Sequence, residues 1–316
     1  MNLERVTKHL PQGNSRKLAV GGLIGVTVMV AGFGVRTSSE VRVADASPAK
    51  VATATVGPVQ PVRVNGWDIS NLDHTRVDFW IKRFQTDKKD DFERFLTRKG
   101  RYEEMISEKL TQRGMPQDLL YLAMIESGFN PKAYSRAAAA GLWQFIRETG
   151  ERYGLEVNRA VDERNDPVKA TDAALDYLSD LHDRFGSWYL AAAAYNTGEN
   201  RVGRIMREQF GREKGSDEDY YRIWDRLPRE TRDYVPLMIA AARISKDPES
   251  HGFGHVEPEQ PIRFSEVHVK PATSLSTVAE IGNTTIAKIR ELNPHLKLNR
   301  TRNDQVSAVR VPAATE

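Results

Sequence analysis

The chain has no cysteine among its 316 residues. That excludes disulfides, thiolate metal sites, a cysteine nucleophile and a lipid-modified N-terminal cysteine. It does not indicate a compartment, because an exported protein that needs no staples and a cytosolic one look alike in this respect. Histidine is scarce, at 7 residues. Only His251 and His255 lie close together, and Gly252-Phe253-Gly254 between them keeps them off a shared helix face, so a plain loop is preferred to a metal site. No Gly-rich phosphate loop is present, and neither a metal nor a cofactor is expected. Aromatic residues make up 8% of the chain and never interleave with a basic run, so nucleic acid is a poor candidate partner. The 46 basic and 43 acidic residues leave a net charge of +3. This slight excess would suit an acidic polymer without identifying one.

Long hydrophobic runs are absent except for one. From Leu18 to Val35 every residue is apolar or small, and Arg5, Lys8, Arg16 and Lys17 precede it. Roughly 18 such residues are the minimum for a membrane-spanning helix, and the basic flank keeps the N-terminus in the cytoplasm. The reading is residues 1–17 cytoplasmic and 18–35 a transmembrane anchor or signal segment. Ala44-Asp45-Ala46 keeps a cleaved signal peptide open as the rival. Residues 36–75, rich in Ala, Val, Ser, Thr and Pro, read as a linker.

From Val77 the pattern changes to helical spacing: Val77, Trp80, Ile81 and Phe84, then Phe92, Phe95 and Leu96, then Tyr102, Met105, Ile106 and Leu110. The region from Gly114 to about Ser245 is rich in Ala and Leu, with no alternating strand. Pro116 sits where a helix can begin, and Gly128 with Asn130-Pro131 marks that helix's end. Asp166-Pro167 opens another helix that runs to Gly186, and Trp188 to Asn196 opens a third. Its four consecutive alanines allow close approach of a neighbour. Composition shifts again after His251. There Phe264–Val269, Leu275–Ile281, Thr284–Leu292 and Val306–Val311 predict a small βααβ module. The fold class is therefore mainly α, with a small C-terminal α+β appendage.

Glu126 stands out on physical grounds. The segment Leu119 to Ile125 is apolar round the helix, so a carboxyl at its end is costly unless paired or neutral. It also lies near the helix C-terminus, where the backbone dipole opposes negative charge. Both effects raise its pKa, and a carboxyl kept protonated near neutral pH is what a general acid requires. A Glu that turns outward to solvent is the alternative at this point.

The neighbouring blocks decide between them. Met124-Ile125-Glu126-Ser127-Gly128-Phe129, then Ser135, then Gly141-Leu142-Trp143-Gln144-Phe145, resemble the lytic transglycosylase family with its lysozyme-like SLT domain (glycoside hydrolase family 23). Ala194-Tyr195-Asn196-Thr197-Gly198 and Glu230-Thr231-Arg232-Asp233-Tyr234-Val235 continue the resemblance in the same order. Gly114-Met115-Pro116 and Asp162-Glu163-Arg164-Asn165-Asp166-Pro167 are most similar to the membrane-bound D type within it.

The resemblance implies a lysozyme-like catalytic domain over 76–250 and peptidoglycan glycan strands as substrate. It also implies a cell-envelope address, anchored in the inner membrane with the catalytic domain in the periplasm. Glu126 would be the acid/base, and Ser135, Gln144, Tyr195, Asn196, Glu230 and Tyr234 would bind substrate. Trp143 would stack on sugar or pack in the core. Glu148, Glu151, Asp162, Glu163 and Asp166 read as surface charges or helix caps. Residues 251–316 resemble a degenerate LysM-type module, where Pro271-Ala272-Thr273-Ser274-Leu275 replaces the usual Gly-Asp step. Glycan binding and a structural cap both stay open for it. A muramidase-type hydrolase and a non-catalytic peptidoglycan-binding protein are the rival functions.

Overall fold

The computed structural model describes residues 66–313. The apolar run at 18–35, and with it the expected anchor, lies outside them. Among the described residues no helix is long and apolar enough to cross a membrane.

Nine helices, α1 (Thr75–Gln85), α2 (Lys89–Gln112), α3 (Leu120–Ser127), α4 (Arg147–Arg152), α5 (Pro167–Phe185), α6 (Trp188–Thr197), α7 (Glu199–Phe210), α8 (Asp217–Arg222) and α9 (Arg229–Lys246), form the helical body. The spacing of Phe92 through Leu110 belongs to one long helix, α2, whose buried stripe is Phe92, Leu96, Tyr102, Ile106 and Leu110. Pro116 does not open α3 directly. It precedes a 3₁₀ turn, Gln117–Leu119, and α3 starts at Leu120. Every residue of α3 is buried, against α2 on one side and α9 on the other.

Local chemistry explains most of the helix ends. Asp166 caps α5 by accepting from Val168 N and Lys169 N, with Pro167 in the first turn, and Gly186 ends it at φ +70°. Ser187 caps α6. Ala191 to Ala194 are fully buried, which lets α6 lie close among α5, α7 and α9. Within α9, Pro236 has no N–H for the Arg232 carbonyl. That carbonyl instead accepts from Tyr220 Oη at 2.8 Å and Trp224 Nε1 at 2.7 Å.

The C-terminal module is β1 (Phe264–Val269), α10 (Leu275–Ile281), α11 (Ile286–Leu292) and β2 (Ser307–Pro312), with β1 and β2 antiparallel, Phe264 opposite Pro312 and Val269 opposite Ser307. Its own small core holds Val269, Leu275, Val278, Ile289, Val309 and Val311.

Two boundaries shift from the sequence reading. Trp67 to Asp73, assigned to the linker, lie against the helical body. Ile69 is buried, Asp118 accepts from the Asp68 and Ile69 amides, and Tyr189 Oη donates to the Ser70 carbonyl. Phe253, Val256 and Ile262, assigned to the module, pack into the helical core. In each segment three apolar side chains, Trp67, Ile69 and Leu72 in the first, and a few hydrogen bonds hold the chain down, too sparse a signal to show periodicity.

Candidate active site

Glu126 sits in the last turn of α3 and is 4% exposed. Its helix ends at the next residue, Ser127, because Gly128 adopts φ +58° and returns its N–H to the Met124 carbonyl. A Cβ at Gly128 would lie 2.1 Å from the Phe95 ring, so only glycine lets α2 approach here. Burial pushes the Glu126 carboxyl up to about 8; the hydrogen bond from Tyr234 opposes the shift, and the nearby Glu230 charge adds to it. Tyr234, on α9, donates to Oε1 at 2.5 Å. Oε2 has no hydrogen-bond partner among the described residues. A buried carboxyl oxygen left open in this way is a site for a proton to reside and to be delivered.

Tyr195 and Asn196 come from the end of α6. Tyr195 Oη donates to the Trp143 carbonyl at 2.7 Å, and burial, with Glu126 and Tyr177 nearby, raises its pKa well above the ordinary tyrosine range. Asn196 is buried. It accepts from Thr231 Oγ1 at 2.7 Å, and its Nδ2 lies 3.4 Å from Glu230 Oε1. Asn196 and Glu230 thus tie α6 to the start of α9, the helix that carries Tyr234.

The loop between α3 and α4 supplies the rest. Ser135 closes a turn within it: its Oγ accepts from Ala139 N, its N–H donates to the Ala139 carbonyl, and neither oxygen of Glu126 bonds to it. Gln144 is held at φ +50°, with Nε2 on the Gly141 carbonyl at 2.9 Å. Its amide donors face its own loop, leaving the amide oxygen for a ligand. Phe129, Ala138 and Gln144 all have positive φ within this one stretch, a concentration of backbone strain that functional loops often carry. Trp143 is fully buried and donates to Thr171 Oγ1 at 2.9 Å, so it packs in the core and offers no face to a sugar.

Gln144 and Tyr195 line a pocket of about 350 Å³ with Phe145, Tyr177, Arg152 and Arg201. Glu126 is not part of its wall, but Tyr195 connects the two. Sequence reasoning missed Arg152, Tyr177, Glu199 and Arg201 in this wall, and read Glu148, which also lines it, as a surface charge or cap. Glu199 accepts from Arg152 Nη1 and from Tyr177 Oη, each at 2.9 Å. No local motif marks these residues; only Thr197-Gly198, next to the Tyr195-Asn196 block, pointed toward them.

Among the described residues no group of His, Asp and Glu could hold a metal ion. His255 pairs with Glu93 at 3.0 Å, and His251 faces the Asp247 carbonyl.

Residues 104–217 match the transglycosylase SLT domain, and residues 263–316 match the LysM-like domain of lytic transglycosylase MltD. Membrane-bound lytic murein transglycosylase D of Escherichia coli K12 is 36% identical over 194 residues, 61% of this chain and 42% of that protein. Peptidoglycan transglycosylase gp16 of Escherichia phage T7 is 31% identical over 161 residues, 50% of this chain and 12% of that protein. Membrane-bound lytic murein transglycosylase C of Haemophilus ducreyi is 25% identical over 169 residues, 49% of this chain and 43% of that protein. The chain thus spans less than half the length of each of these relatives.

Proposed function

We propose, from the premise that this chain carries an SLT transglycosylase domain followed by an MltD-type LysM-like domain, that it cleaves peptidoglycan glycan strands without water. The bond is the β-1,4 link between N-acetylmuramic acid and N-acetylglucosamine, and the new end is a 1,6-anhydromuramoyl ring. One observation carries the reading: a buried carboxyl, Glu126, pushed to about 8, with one oxygen on Tyr234 and the other without a partner among the described residues.

Protonated near neutral pH, Glu126 gives its proton to the glycosidic oxygen as the bond to C1 breaks. The carboxylate left behind keeps the Tyr234 hydrogen bond, which favours the charged form. It then takes the proton of the muramoyl C6 hydroxyl as that oxygen closes on C1, and the acid is restored. An ordinary glycosidase needs a second carboxylate as nucleophile or to activate water. Here the substrate's own hydroxyl takes that part. In this reading Gln144 and Tyr195 meet the glycan. Asn196, Glu230 and Tyr234 hold the acid's surroundings, and Ser135 shapes the loop that the sugar passes.

Digestion of purified peptidoglycan followed by mass analysis of the fragments tests this. Anhydromuramoyl ends that vanish in Glu126→Gln are expected. Reducing ends, heavier by one water, would make the enzyme a hydrolase with Glu230 as the first carboxylate to examine. No fragments would favour a binding protein. The cell-envelope address, with residues 18–35 as the anchor, rests on the apolar run and its basic flank. Release of the protein from membranes by alkaline washing would remove the anchor.

A further inference from the structure

The C-terminal module is bound to the helical body by more than its connecting chain. Residues 156–166, which lead into α5, form most of the contact, and Arg101 of α2 adds an ion pair with Glu291 of α11. Asp162 N donates to the His295 carbonyl and Lys297 N to the Ala160 carbonyl, both at 2.9 Å, with Val161 and Leu296 paired as a β-bridge between them. Lys297 Nζ reaches the Asn158 carbonyl at 2.8 Å, and Arg302 pairs with Glu156. At the centre Asp166, 1% exposed, lies 2.9 Å from Arg310 Nη2 and 3.1 Å from His295 Nδ1. Arg310 is buried too, and Asn293 holds its backbone on both sides, accepting from its N–H and donating to its carbonyl.

The same segment faces the catalytic loop from behind. Arg164, gripped by both oxygens of Asp162, donates from Nη1 to the Ala138 carbonyl at 2.8 Å and to the Phe145 carbonyl at 3.1 Å. Gly141 presses so closely on the Arg164 carbonyl that a Cβ would come within 1.7 Å of it. Asp166 starts α5, and one turn along that helix Thr171 receives the Trp143 indole N–H. Ser127 and Tyr195 hold the Leu142 and Trp143 carbonyls from the α3 and α6 side, while Arg164 holds the Ala138 and Phe145 carbonyls from the segment that the module grips on its other side.

We infer that the C-terminal module is an intramolecular brace for the catalytic loop, with Arg310 as its positioning residue. Arg310 touches no substrate. It neutralises Asp166 where α5 begins and keeps residues 160–166, and so Arg164, in the register that holds the backbone from Ala138 to Phe145. A module meant only to carry the enzyme to its substrate needs no buried ion pair at its root. Such a pair is costly to desolvate and imposes one docking geometry.

The inference rests on the proposed transglycosylase reading for its kinetic arm alone. In the full chain, Arg310→Met, Arg310→Lys and Arg302→Ala are compared with the parent on short soluble glycan strands and by hydrogen exchange. Arg310→Met is expected to lower kcat by roughly 10- to 100-fold, the scale on which small misplacements act, with KM changed much less. Exchange at 138–146 should quicken while α2 and α3 stay protected, and Arg310→Lys should regain most of the loss. If Arg310→Met does not fold, Arg302→Ala loosens the same contact without leaving a buried charge and should shift exchange in the same direction. Unchanged exchange at 138–146 in a folded variant whose contact at 160–162 has opened would overturn the brace. So would a change in KM alone. If the parent cleaves nothing, the transglycosylase reading fails by itself and the exchange comparison still decides the brace.

Discussion

Glu126 links local sequence to chemistry at the scale of a single residue. Its ordinary value of 4.5 is raised to about 8 chiefly by burial. Between those two values an unfolded chain releases the proton and the folded one keeps it. The contribution of this one carboxyl to folding stability therefore falls as pH rises from about 4.5 to about 8, and is level above that. Glu126→Gln removes this cost, so the variant should gain a few kcal/mol over the parent near pH 7 and nothing below pH 4.5; denaturant unfolding at the two pH values checks both. In the proposed reaction cleavage needs the protonated acid, so activity should decline above about pH 8. Tyr234→Phe removes the hydrogen bond that favours the carboxylate, so the alkaline limb of the kcat profile should move upward. A limb that stays put would show that another group sets it.

At the scale of elements, two exact fits hold the site together. Gly128 ends α3 in the left-handed region and leaves no room for a side chain beside Phe95. Gly128→Ala should cost about 2–4 kcal/mol, combining strained backbone with overpacking, read from the unfolding midpoint. The second fit joins α6 to α9 through Asn196 and Thr231. Thr231→Val keeps the shape and leaves the buried Asn196 oxygen without this donor. A loss of about 1–3 kcal/mol is expected, and with it reduced activity, because α9 also carries Tyr234. Full activity at reduced stability would separate this tie from the chemistry.

At the scale of the whole molecule, the helical body and the C-terminal module share buried charge, backbone hydrogen bonds and a β-bridge. Contacts of this kind make two units unfold together when their coupling exceeds the module's own small stability. One denaturant transition is expected, with tryptophan fluorescence from the body and backbone circular dichroism coinciding. Two separated transitions would mean that the module folds and moves independently.

Much of this protein was legible along the chain, and what was legible is local. Gly128, Asp166-Pro167, Gly186 and the apolar faces of α2 and α3 declare themselves, because caps, turns and periodicity act over a few residues. Glu126 was legible for the same reason: a carboxyl on a helix with no polar face has nowhere inexpensive to go. The tertiary structure alone decided which groups meet it. Tyr234 lies 108 positions away from Glu126, and Trp143, open to two roles in the sequence, is buried because α5 brings Thr171 to its indole. Arg164 reads locally as one charge in an acidic stretch, yet it holds the loop from Ala138 to Phe145, and Arg310 reads as an alternating residue of a strand. Their roles depend on long-range partners, and no rule of spacing along the chain reaches that far.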